Sequence, residues 1–366
     1  MEKKRVLFMN LTPRWGMLHY SSQFCNAAWK NNTIITKIAI ASYYKSNLYL
    51  KTDNFIKIRT NPDIKNFIFD SLNIIYHLLF ICKIIRFKPE IVHFLDNHPW
   101  YIFYWKLFKF LWYKIYVTQH DPTLHSWEQS TLLWRVAEKV NSYLRKKSDK
   151  IFVHWDNLRN EVIKKYSVSD NKVYSIVHWN YNFFKDNFSK WGKIQNNTFL
   201  FFWRIMDYKW LDILLKSLDR VIKVYSDLNL IIAWPWNLEK YHSELNKYKN
   251  NIEIYNYNIE PEEAYKYFEK CEFVLLPYKD ATWSWVIPVA FAFSKAVLVT
   301  NVWELKSVVQ DDVTWYIIPP NNINELSLKI IDMLDNKNKI KLMWKSWRKF
   351  TEDNLWWNKI VNNIYN

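Results

Sequence analysis

Glycine is almost missing from this chain: 2 of 366 residues, where average usage gives about 26. A chain so poor in glycine has few residues that accept positive φ or close backbone approach at its turns. Cysteine is scarce too. Cys25, Cys82 and Cys271 stand far apart, with no CxxC or Cys/His spacing suited to a metal or a redox pair, so they read as reduced thiols of a cytoplasmic protein. Long apolar runs are also absent. Phe67–Phe87 is the greasiest stretch, but Asp70, His77, Lys83 and Arg86 interrupt it, so it falls short of roughly 18 unbroken apolar residues and reads as a core or surface helix. The apolar run Val6–Met9 is too brief for a signal peptide, and export is not expected.

What the chain has instead is tryptophan, 22 residues of it. Position says more than number. Trp234 and Trp236 form AWPW directly after the apolar run Leu228–Ala233, where a strand has to turn tightly, and an indole-bearing residue is costly there. Trp203, Trp210, Trp283, Trp285, Trp303 and Trp315 likewise sit at the edges of apolar runs. One reading accounts for both anomalies: the gene comes from a lineage that reads UGA as glycine, and most of these tryptophans stand for glycine. The abundance of Lys, Asn, Ile and Tyr, all served by AT-rich codons, fits that reading. The alternative is a literal aromatic binding surface, which should cluster rather than fall at turns throughout. Trp105, Trp191 and Trp357 lie where an indole is at home.

Charge is uneven. Residues 1–180 carry 27 basic and 13 acidic side chains, and residues 181–366 carry 24 and 22, so the first half holds nearly all of the net +16. A basic half suits nucleic acid, an anionic membrane surface or a phosphorylated substrate, and composition does not choose among them. Arg145-Lys146-Lys147, with Lys139 and Lys150 nearby, is either a solvated helix face or a contact for anionic headgroups.

Short apolar runs alternate with helical patterns. Val6–Met9, Ile34–Ala41, Ile91–Leu95, Ile115–Thr118, Ile151–His154 and Val173–Val177 form one series. Thr198–Phe202, Leu228–Ala233, Ile252–Tyr255, Phe273–Leu276, Ala296–Thr300 and Tyr316–Ile318 form a second, interleaved with helices such as Leu211–Ser226 and Glu262–Lys270. Alternation of this kind predicts two successive doubly wound α/β halves, with ligands just beyond the carboxyl ends of the strands. The expected division is a first domain over 1–183, a linker over 184–197, a second domain over 198–345 and a final segment, 346–366, returning to the first domain.

Four motifs sit at such strand ends. Phe201–Asp212 becomes FFGRIMDYKGLD once glycine is restored, with Arg204 and Lys209 beside a helix start. Leu276–Ala290 becomes LPYKDATGSGVIPVA, a strand, a small polar loop and a helix, which together make a phosphate cradle. In the first half, Thr12-Pro13-Arg14-Trp15-Gly16-Met17 becomes TPRGGM, and Thr118-Gln119-His120-Asp121-Pro122 places His120 directly after a strand. Val177-His178-Trp179-Asn180 becomes VHGN, while VGEL at Val302–Leu305 and VTGYIIP ending at Pro319 are later turns. His93, His98 and His125 have no metal-type spacing.

With these motifs the chain resembles the retaining glycosyltransferases of family 4, most closely over Leu200–Pro319. The resemblance implies the GT-B fold, two Rossmann-like domains facing a central cleft, and sugar transfer from a nucleotide diphosphate sugar to a glycan or lipid-linked acceptor, as in polysaccharide biosynthesis. It implies no cofactor and no metal. Arg204 and Lys209 would offset charge on the departing diphosphate. Asp280, Thr282, Ser284, Trp285 and Val286 would complete the donor site, Arg14, Trp15 and Gly16 would line the acceptor side, and His120 would face the reacting sugar. The chain departs from the family pattern where many members have two Glu eight positions apart, since Ala281 and Val289 align there. Asp280 could stand in for one carboxylate. The basic first half adds an anionic membrane surface as a candidate partner, at the inner face; nucleic acid is not expected. Two other readings stay open: a nucleotide-sugar epimerase, and a non-catalytic protein whose basic surface binds nucleic acid or membrane. A redox Rossmann enzyme is disfavoured, because no GxGxxG follows the first strand even with every tryptophan restored.

Overall fold

In the computed structural model the run VLFM lies inside strand β1 (Lys4–Asn10), flanked by β2 (Ile34–Ala41) and β4 (Ile91–Phe94) and buried on both faces. The structure describes residues 3–12, 15–44, 48–61, 63–120, 132–176, 185, 188–189, 192–202, 211–235, 237–279, 284, 286–302, 315–354 and 357–365. The chain divides into two units, Met1–His178 with Trp356–Asn366, and Trp179–Leu355.

The first unit is a seven-stranded parallel sheet in the order β3-β2-β1-β4-β5-β6-β7, with β3 at Phe55–Ile58, β5 at Lys114–Gln119, β6 at Lys150–His154 and β7 at Val173–Ile176. Its helices are α1 (Trp15–Lys30), α2 (Ile64–Leu72), α3 (Ile74–Phe87), α4 (Tyr101–Phe110), α5 (Leu132–Lys147) and α6 (Asp156–Tyr166). In the second unit six parallel strands run β10-β9-β8-β11-β12-β13: β8 at Thr198–Phe202, β9 at Asn229–Ala233, β10 at Ile252–Tyr255, β11 at Phe273–Leu276, β12 at Ala296–Thr300 and β13 at Tyr316–Ile318. Its helices are α7 (Leu211–Val224), α8 (His242–Lys247), α9 (Pro261–Lys270), α10 (Val286–Ala292), α11 (Ile323–Asp335) and α12 (Lys337–Asn354). Both sheets reverse their winding once, between β1 and β4 and between β8 and β11. That reversal leaves a crevice at the carboxyl ends of those strands, where doubly wound sheets bind their ligands. The architecture is that of the GT-B fold.

The strands are continuous Val/Ile/Leu/Phe runs because helices cover them on both sides. Leu214, Leu218, Leu230, Leu275, Leu298 and Met333 belong to the core on one side of the second sheet. The last helix, α13 (Trp357–Tyr365), packs on the first unit: Trp357 Nε1 donates to Gln23 Oε1 at 3.2 Å, and Lys4 Nζ donates to the Tyr365 carbonyl at 2.6 Å.

Two differences from the sequence reading have local causes. Phe67–Phe87 is not one helix but α2 followed by α3, bent by 66°. Asn73 makes the break by accepting the Tyr76 N–H at 3.2 Å and so starting a new helix. The basic cluster is also not a uniform solvated face. Arg145 is fully buried, bonded to Glu138 and to Gln119 Oε1 at 2.9 Å, with its guanidinium 3.8 Å from the centre of the Tyr166 ring; only Lys146 and Lys147 of that triplet are exposed.

Among the described residues, three tryptophans carry backbone that an indole-bearing residue rarely adopts. Trp112 has φ 63°, Trp155 φ 92° and Trp234 φ 140°. Trp155, with ψ 149°, occupies a region that is essentially glycine's. Trp112 ends α4 in a Schellman turn, its N–H bonded to the Lys109 carbonyl and the next N–H, of Tyr113, to that of Phe108. The residue at that position is usually glycine. Trp315, by contrast, is not in the left-handed region; it is fully buried with its ring 4.7 Å from Phe291.

Candidate active site

In the second unit the carboxyl ends of β9, β11 and β12 set the geometry. Trp234 leaves β9 with its N–H bonded to the Tyr255 carbonyl at 3.0 Å, and its ring stands edge-on to Phe202 at 5.7 Å. Beyond β11, Tyr278 is buried and its hydroxyl lies 3.1 Å from Ser284 Oγ, while its carbonyl accepts from Thr300 Oγ1 at 2.5 Å. These two bonds fix the chain leaving β11 against the ends of β12 and of the loop that enters α10. Ser284 is itself buried, and its carbonyl accepts the Ile287 N–H at 3.2 Å in the first turn of α10. Val286 opens α10 and is fully buried. Of the expected donor residues the structure thus brings Ser284 together with Tyr278 and, through it, Thr300, and puts Val286 at the start of the following helix. Arg204, Lys209, Asp280, Thr282 and Trp285 lie outside the described residues.

In the first unit a polar group collects at the ends of β1, β4, β5 and β6. Asp96, after β4, accepts the Thr12 N–H and the Tyr101 hydroxyl, and burial pushes its carboxyl up to about 6 despite those bonds, which pull the other way. Thr12 Oγ1 donates to the Asn97 carbonyl at 3.1 Å, tying the turn after β1 to the turn after β4. Neither Asp96 nor Tyr101 was singled out from sequence. The cue was an Asp immediately after the apolar run Ile91–Leu95.

His120 sits at the end of β5, half-buried, as its place in the sequence predicts. Its Nε2 lies 3.0 Å from the Leu95 carbonyl, which can only accept, so Nε2 carries the proton. Nδ1 then accepts from His154 Nε2 at 3.0 Å, and Tyr20 packs edge-on at 4.5 Å. Burial, with His120 adding to it, holds His154 well below the ordinary imidazole range, so His154 is neutral. Of Trp15 and Gly16 only the backbone is described, opening α1; Arg14 lies outside the described residues. His93 and His98 are buried. Burial carries both down to about 3, and His93 lies between the Tyr365 hydroxyl and Thr118 Oγ1. His125 is outside the described residues.

Residues 183–350 match the family model described as glycosyl transferases group 1. That match falls almost entirely within the second unit and covers a little under half of the chain. An uncharacterised glycosyltransferase of Methanocaldococcus jannaschii is 26% identical over 95 residues, a stretch that spans 26% of this chain and 27% of that protein. Solved structures are similar over nearly the whole length. A Rickettsia africae glycosyltransferase superposes with a TM-score of 0.69 at 16% identity, covering 99% of this chain and 97% of its own. Anabaena HepE in complex with UDP gives 0.68 at 12%, covering 99% and 98%; that protein is also known in complex with UDP-glucose. At such identities the likeness is one of fold alone, and it extends over both units.

Proposed function

We propose that this chain transfers a sugar, with retention of anomeric configuration, from a nucleotide diphosphate sugar to a glycan or lipid-linked acceptor. The observation that carries the reading is the group 1 glycosyltransferase match over residues 183–350, laid on a parallel sheet whose strand ends gather Tyr278, Ser284 and Thr300. The nucleotide complexes of HepE support a nucleotide-sugar donor.

In the proposed reaction the bond between the anomeric carbon and the diphosphate oxygen breaks, and a bond to the acceptor oxygen forms on the same face. Arg204 and Lys209 offset the charge gathering on the diphosphate, so no divalent metal is required. Asp280, Thr282, Ser284, Trp285 and Val286 hold the nucleotide side. The first unit reads the acceptor, with Arg14, Trp15 and Gly16 at its opening turn. His120 has one nitrogen on the Leu95 carbonyl and the other on His154, so it presents a ring of fixed orientation rather than a free lone pair. The acceptor proton therefore goes to the departing diphosphate.

Nuclear magnetic resonance of the product bond tests retention, and kinetics of Arg204→Ala and Lys209→Ala test the donor site. Each variant should lower kcat by roughly 10²- to 10³-fold, as loss of a charge-stabilising donor does elsewhere, and EDTA should leave the wild-type rate unchanged. Release of a free epimerised sugar without acceptor would favour an epimerase. Steeply salt-dependent nucleic-acid binding with no response to any nucleotide sugar would favour the non-catalytic reading.

A further inference from the structure

We infer that the first unit docks on an anionic lipid bilayer through the outward face of α2, α3 and α4, an inference that goes beyond sugar transfer and does not depend on it. Phe69, Leu72, Ile74, Ile75, Phe103 and Phe110 are each between 69% and 79% exposed, and Ile68, Leu78 and Leu79 are more than half exposed. So many exposed large apolar side chains on three neighbouring helices, with Ile74, Leu78 and Phe103 lining one groove, mark a contact site.

The three helices also line an open groove of about 550 Å³, with Phe67, Ile74, Leu78, Trp100, Phe103 and Leu107 among its walls. Its walls are pinned in place: Trp100 Nε1 donates to Ser71 Oγ at 2.8 Å, and the His77 ring meets the Tyr104 hydroxyl at 2.7 Å. The groove is therefore a built feature of the face, with room for part of an acyl chain.

Charge decides what covers it. The helices carry Lys65, Lys83, Arg86 and Lys106, besides Lys109, which is paired with Asp149 at 3.0 Å, and their one acid, Asp70, is buried and paired with Arg59 at 2.8 Å. A second copy of the same face would bring like charges together, whereas anionic headgroups complement them. Apolar side chains interleaved with basic ones are the pattern of helices that lie in the membrane interface, the long basic side chains reaching back to the headgroups. The geometry agrees. No single helix among the described residues is long and apolar enough to cross a bilayer, and the 66° bend between α2 and α3 sets the two at an angle no straight span has. The basic cluster at Arg145 contributes less than the sequence suggests, because Arg145 is buried.

The test is co-sedimentation of the full chain with vesicles of phosphatidylcholine alone or mixed with phosphatidylglycerol. Binding is expected to the mixed vesicles and not to the neutral ones. Lys83→Gln with Lys106→Gln should weaken it about 30-fold, from roughly 1 kcal/mol per basic residue, and Phe69→Asn with Ile75→Asn should abolish it. Lys146→Gln with Lys147→Gln should leave it within a few-fold. All of these side chains are exposed, so each variant should keep the wild-type circular dichroism and melting curve. Equal binding by wild type and both α2–α4 variants would overturn the inference. So would absence of vesicle binding together with a concentration-dependent dimer in sedimentation velocity that Ile75→Asn dissolves.

Discussion

Replacing Trp112 by glycine should stabilise the protein, an outcome opposite to that of most tryptophan deletions. The indole is 93% exposed, so its removal forfeits almost no burial. The backbone at φ 63° places a β-carbon against the neighbouring carbonyl, at a cost of roughly 1–2 kcal/mol that glycine avoids. Glycine's extra freedom in the unfolded chain takes back about 0.4–1 kcal/mol. The net gain is then about 0.5–1 kcal/mol, read as a higher midpoint in urea unfolding followed by far-ultraviolet circular dichroism. Trp112→Ala keeps the β-carbon and should gain nothing. Trp105→Gly, in the interior of α4 with its ring 5.2 Å from Tyr143, should lose about 3–5 kcal/mol. If alanine at 112 stabilised as much as glycine, backbone strain would not be the cause and the reasoning would fail.

Peptide mass spectrometry of the protein from its native source should find glycine at positions 112, 155 and 234; tryptophan at all three would end the recoding proposal. Stability should fall as pH drops below 6.5. Burial holds His19, His93 and His98 near 3, so folding keeps them neutral while the unfolded chain binds protons. At pH 5 that amounts to about 2 kcal/mol for each histidine. Asp96, raised to about 6, works the other way, adding stability as pH falls from 6 toward 4, but at pH 5 its share is only about 1.4 kcal/mol. A denaturation midpoint unchanged between pH 7 and pH 5 would contradict the burial of these rings. Arg145→Ala should cost about 3–5 kcal/mol, because it leaves Glu138 and Gln119 short of a partner inside the domain.

Much of the fold was legible because each parallel strand is covered on both faces and therefore reads as an unbroken apolar run. Ile34–Ala41, Thr198–Phe202 and Ala296–Thr300 have the same bounds in sequence and structure. The strand missed, β3, is four residues at the sheet edge, and its Lys57 breaks the run. Asn73 was invisible as a break because its effect depends on capping α3, not on hydrophobicity. The strand-end position of His120 was legible, but its pairing with His154 was not, since those residues are 34 apart and meet only because β5 and β6 are neighbours. Trp112 and Trp155 escaped notice for a related reason. A turn was recognised where a tryptophan followed a long apolar run, and these two follow a helix end and a strand ending in histidine.

The most direct test of the central claim is a thermal-shift comparison of UDP-, GDP- and ADP-sugars on the chain carrying glycine at Trp112, Trp155, Trp203, Trp210, Trp234, Trp236, Trp283 and Trp285. A donor at a hundred times its Kd should stabilise the protein by about 2.7 kcal/mol. The account predicts that one nucleotide class alone produces the shift and that Arg204→Ala removes it. A cooperatively melting protein that responds to none of the three would contradict the glycosyltransferase assignment.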